Sequence, residues 1–109
     1  VSRYSRQQED RAEQKLRSVG FELVEDTGRR TTGAGDKIMR HPDVGMWLVI
    51  DNKSTKASES IRVKKADLRK IRKEAGDYGK GVGALTISFY NSEDMYIIFN
   101  IDDLEGVMY

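Results

Sequence analysis

The run VIDNKST, residues 49–55, passes from apolar side chains to an acid, an amide, a lysine and two hydroxyls. With Trp47 and Leu48 before it, the run predicts a short buried strand whose polar end carries Asp51 and Lys53. Side chains two apart on a strand share a face, so this carboxylate and this ammonium emerge together. Asp43 precedes Asp51 by eight residues across a turn glycine, Gly45. Two antiparallel strands joined there would lay the two acids side by side. Carboxylates held that close repel unless a cation lies between them, and oxygen-only ligation suits Mg²⁺ or Mn²⁺. Such an ion polarises a phosphodiester and lowers the pKa of a bound water. Lys53 beside it can orient that water or neutralise charge on the phosphate. An Asp–Asp–Lys spacing also arises by chance in charged proteins, so turn aspartates and a plain ion pair remain the ordinary explanation of these residues alone.

The elements that must position these groups are legible in outline. Residues 5–19 lack helix breakers, and Ala12, Leu16 and Val19 give a narrow apolar stripe that Gly20 ends. FELVE is a first strand, and DTGRRTTGAGDK is a loop with three glycines. PDV opens a second short strand, WLVIDNK runs as the third, and STKASES is a polar connection. IRV is briefly extended, and residues 64–75 form a second helix with Leu68, Ile71 and Ala75 on one side. ALTISFY and MYIIFN make a hairpin around NSED, and IDDLEGV adds a last helical turn or two. The order αβββαββ(α) predicts an α/β fold, a mixed five-stranded sheet flanked by helices.

Chain length and charge narrow the partners. With 109 residues the chain is expected to be one domain, 1–109, around one modest core. It has no cysteine, which excludes disulfides, thiolate zinc sites and cysteine nucleophiles. No run of about 18 apolar residues and no signal-peptide pattern is present, so a cytoplasmic, reducing location is expected. The formal charge of +1 conceals a polarity. Residues 53–73 hold nine Lys or Arg against Glu59 and Asp67, whereas residues 91–109 hold five acids and no base. A basic flank on a near-neutral protein is the footprint of a polyanion partner, although a solvated lysine-rich helix face looks the same. Lys56, Lys65, Arg69, Arg72 and Lys73 are the candidate contacts.

PDV…VIDNKST resembles the PD-(D/E)xK signature of the restriction-endonuclease-like nucleases. The whole chain is similar in motif order to their archaeal and phage Holliday-junction resolvases: QQEDRAEQKLRSVGF, TTGAG, PDV, IDNKST, RVKKADLRKIRKEA, then ALTISFY…MYIIFN. The resemblance implies a restriction-endonuclease-like core and a Mg²⁺- or Mn²⁺-dependent endodeoxyribonuclease that cuts four-way DNA junctions as a homodimer. It assigns Glu9, Asp43 and Asp51 to the metal and Lys53 to catalysis. Thr32 and Gly33 match the loop near the scissile phosphate, with Arg29 and Arg30 beside them on the DNA backbone. Two departures stand out: Asp51 replaces the usual glutamate and is one methylene shorter, and Thr32 replaces serine but keeps the hydroxyl.

Several neighbours compete for these roles. Glu13 lies one turn after Glu9 on the same helix side, and Asp36 is the rival of Asp43. His41 is the only histidine and precedes a proline, as a turn residue would. Ser54 and Thr55 end the strand or touch phosphate. Trp47 and Phe89 are expected in the core, and Tyr90 and Tyr96 in the core or on a dimer surface. The alternatives to a junction resolvase are another nuclease of this fold, or a DNA-binding module that has lost its metal.

Overall fold

Uninterrupted by glycine or proline, residues 3–18 wind into the first helix of the computed structural model, which describes residues 3–26, 37–56, 59–90 and 92–105. Helix α1 (Arg3–Ser18) buries Gln8 and Ala12 and packs Leu16 against the sheet, one residue per turn. Gly20, at φ +108°, turns the chain out of the helix, and a Cβ there would run into the His41 ring. Strands β1 (Glu22–Asp26), β2 (Lys37–His41), β3 (Met46–Thr55), β4 (Val82–Phe89) and β5 (Met95–Phe99) form one sheet in the order β1-β2-β3-β4-β5. All neighbours are antiparallel except β3 and β4, which are parallel and joined by helix α2 (Lys65–Tyr78). The fold is α/β with a mixed five-stranded sheet, as the periodicity predicts. A 3₁₀ turn (Ile101–Asp103) follows β5.

The two faces of the sheet carry separate cores. On one face Ile38, Val49, Leu85 and Ile87 meet Ile71 and Ala75 of α2. On the other, Met39, Leu48, Ile50 and Ala84 meet Leu16 of α1. The near-continuous burial of β4 follows from this double cover. Gly83 lets α2 approach: a Cβ there would strike the backbone of Ile71 and Arg72. No helix among the described residues is long and apolar enough to cross a membrane.

One element differs from its expectation, and it matters for the site. PDV does not open a strand. Strand β2 instead ends at His41, and residues 42–45 form the turn into β3, closed by a 2.8 Å hydrogen bond from Gly45 N to His41 O, with Gly45 at φ +68°. The proline, which cannot donate to a ladder, and the glycine at positive φ are turn residues here. The apolar residues Ile38 and Met39, upstream of them, fill the strand.

Candidate active site

Alternation along β3 puts Val49, Asp51 and Lys53 on the α2 face, and Ile50 and Asn52 on the α1 face. Lys53 Nζ lies 4.0 Å from Asp51 Oδ2 and 3.7 Å from Asp67 Oδ2 in the first turn of α2. The expected Asp–Lys pairing is present, with a second carboxylate on the other side of the ammonium. Burial pushes the Asp51 carboxyl above its ordinary value, and Lys53, the backbone of Asn52 and Lys70 oppose that push.

Glu9 reaches the same end of β3 from α1. It lines a cavity of about 10 Å³ with Lys37, Ile50, Asn52 and Thr86, which is room for about one water. Burial, and next the charge of Asp51, push its carboxyl above the ordinary value. Asn52 donates from Nδ2 to Thr86 O at 3.2 Å and Thr86 Oγ1 at 3.0 Å, while its Oδ1 is buried with no partner among the described residues.

Glu13, the rival of Glu9, is committed elsewhere. It accepts from Lys37 Nζ and from Arg17 Nε, each at 2.8 Å. Burial acts to raise its pKa, but these hydrogen bonds win and hold it below the ordinary value. Lys37 also reaches Asp10 Oδ1 at 3.2 Å and Asp26 Oδ2 at 3.7 Å with only 5% of its side chain exposed. This lysine was missed as a site residue from sequence. Its signal is a cation at the head of the apolar strand KIMRH, where burial demands acids.

Asp43 is not part of this cluster. It is exposed in the turn after His41, and His41 pairs with Met46, five positions before Asp51. At about 3.3 Å per residue that separation is roughly 16 Å along β3. The expected juxtaposition of residues 43 and 51 fails because the turn lies at the far end of the strand pair. Asp36, Arg29, Arg30, Thr32 and Gly33 lie outside the described residues. Among the described residues no group of three or more His, Cys, Asp or Glu is placed to hold a metal. His41 is a structural residue, its Nε2 3.0 Å from Val19 O and its ring edge-on to Phe21.

The basic helix splits into two flanks. Asp67, Lys70 and Glu74, at helical spacing, face Asp51 and Lys53. Lys65, Arg69 and Arg72 fall on the opposite flank, where they line a cleft of about 320 Å³ with Gly83, Ile98 and Asn100. Arg72 is held there by Asp103 through two hydrogen bonds of 3.0 Å, and Lys73 pairs with Asp77 at 3.2 Å. Lys56 is exposed just past β3, its Nζ 5.0 Å from the centre of the Tyr4 ring. The sequence candidates for phosphate contact therefore share a surface only in part, and the charge of Lys70 acts to lower the Asp51 carboxyl.

No family model matches the chain, and no curated protein matches it. The residues and their geometry alone bear on function.

Proposed function

We propose that this chain is a metal-dependent endodeoxyribonuclease of the restriction-endonuclease-like superfamily that resolves four-way DNA junctions by paired symmetric nicks. The observation that carries this proposal is the pairing of Asp51 with Lys53 on the α2 face of β3, beside a helix rich in lysine and arginine, with the charge of Asp51 also raising the carboxyl of Glu9 on α1. The half-buried carboxylates of Glu9 and Asp51, both raised above their ordinary values, would supply a hard-oxygen donor set. Such a set fits Mg²⁺ or Mn²⁺.

The third carboxylate is assigned to Asp36 in place of Asp43. Lys37, the next residue, faces Ile50 across β2 and β3. Glu9, Asp36 and Asp51 would hold the ion, which supplies Lewis acidity to the phosphodiester. Lys53, steered by Asp67 as well as Asp51, places its ammonium where negative charge grows on the phosphate. Lys56, Lys65 and Arg69, with Arg29, Arg30, Thr32 and Gly33 of the loop, hold the DNA backbone without reading bases. One chain supplies one acid and lysine pair, so paired nicks call for a homodimer, and the cytoplasm is the compartment proposed with this function.

The deciding experiment compares Mg²⁺-dependent cleavage of a synthetic four-way junction and of a linear duplex. Cutting confined to the junction supports the assignment, equal cutting of both makes the chain a general nuclease, and binding without cutting makes it a DNA-binding module.

A further inference from the structure

Four aromatic rings gather where β3 and β4 end, beyond the acid cluster. Tyr4 and Tyr90 have ring centres 6.4 Å apart at 56°, and Phe89 and Tyr96 stand edge to face at 6.3 Å. Tyr90 and Tyr96 are each 55% exposed, which is unusual for two large rings on a chain whose core is already filled on both faces. An open cleft of about 230 Å³ lies between them, lined by Glu59, Phe89, Tyr90, Ser92 and Tyr96. The ledge is anchored to the frame: Tyr4 donates its hydroxyl to Thr55 O at 2.9 Å, and Arg11 donates from Nη2 to Ser92 O at 2.8 Å. Lys56 stands at its edge over the Tyr4 ring.

We propose that this ledge stacks an unpaired nucleobase of the bound DNA strand, with Tyr90 as the principal platform. The inference rests on the nuclease assignment and extends it, by naming what the site reads besides phosphates. Three features select a base over an apolar protein segment. Exposed aromatic faces stack on any base. A lysine beside them suits the phosphate attached to that base, and the Glu59 carboxylate in the cleft accepts hydrogen bonds from exocyclic amino or ring N–H groups. Thr55 is four residues past Asp51, roughly 13 Å along the strand, so a base on the ledge lies a few nucleotides from the phosphate at the acids. A four-way junction can supply such a base at its branch point, and an intact duplex cannot without unstacking.

The test uses the full chain in EDTA, where nothing is cut, and a four-way junction carrying 2-aminopurine next to the branch point. Fluorescence of the probe should fall as the protein binds, because the base stacks on a ring. Tyr90→Phe should keep the change. Tyr90→Leu and Tyr96→Leu should lose most of it and bind the junction roughly tenfold more weakly, with affinity for a linear duplex unchanged. Junction binding by the wild type with no change in probe fluorescence overturns the ledge and leaves the nuclease assignment standing. Failure to bind any DNA overturns both. Should the leucine variants shift the sedimentation coefficient of the free protein and leave the fluorescence change intact, the tyrosines are a contact between two copies of the chain, and the base-stacking role is overturned.

Discussion

Lys37 Nζ and Glu13 Oε1 lie 2.8 Å apart with 5% of the lysine side chain exposed, and this pair decides which helix glutamate is left for chemistry. A buried ammonium needs its acids, so Glu13 is bound to Lys37, while the carboxyl of Glu9, one turn earlier, is raised by burial and by the charge of Asp51. Glu9→Gln should therefore abolish Mg²⁺-dependent cleavage without loss of stability. Glu13→Gln should lower stability by about 1–3 kcal/mol and keep cleavage. Urea unfolding and a junction-cleavage assay on both variants check this, and the reverse pattern would exchange their roles.

The raised carboxyls give a pH signature. Folded-state values of Glu9 and Asp51 lie above 4.5 and 3.8, so the folded protein binds these protons before the unfolded chain does. Stability from these two groups grows as pH falls through their raised values and is complete below the ordinary ones. Glu9→Gln removes one of them. The variant should gain most over wild type near neutral pH, and the gain should shrink toward pH 4.5. Denaturant midpoints measured across that range would show a constant difference if Glu9 were an unperturbed surface acid.

The acids can be ranked in one side-by-side assay. Asp51→Asn and Asp36→Ala should each remove Mg²⁺-dependent cleavage. Asp43→Ala should cut at near wild-type rate, because residue 43 sits in the turn at the other end of β3. In EDTA, Asp51→Asn should bind the junction as well as or better than wild type, since it removes negative charge beside a phosphate. Loss of cleavage in Asp43→Ala alone would restore it as a ligand and displace Asp36.

The flanks of α2 predict unequal contributions to binding. Lys65→Ala and Arg69→Ala should each flatten the salt dependence of junction affinity by about one slope unit. Arg72→Ala should do less, because Arg72 must first leave Asp103. Asp103→Asn should then tighten binding. Filter binding over a salt series gives the slopes, and unchanged slopes for Lys65 and Arg69 would make this flank a solvated face.

Local pattern was sufficient for much of the molecule. The 3.6-residue stripe of Leu68, Ile71 and Ala75, the alternation through Val49, Asp51 and Lys53, and the turn residues between apolar runs determine the elements, their order and the shared face of the acid and the lysine. These are short-range consequences of backbone geometry. The pairing of Lys53 with Asp51 was legible for that reason.

Register and partner choice were decided by the tertiary structure. Whether residues 42–45 begin a strand or turn between two of them depends on which apolar residues the sheet can bury, and Ile38 and Met39 won that competition. That choice carried Asp43 away from Asp51. Glu9 and Glu13 are equivalent by helical spacing, and only the depth of Lys37, set by β2 packing under α1, distinguishes them. Arg69 and Lys70 are adjacent cations in sequence, yet the docking of α2 over β3 and β4 turns one toward the cleft beside Gly83 and the other toward Asp51. Composition and periodicity are local, and they set which side chains are available and on which face of each element. The fold decided which of them meet, because burial of two apolar faces leaves each charged residue only the neighbours that packing permits.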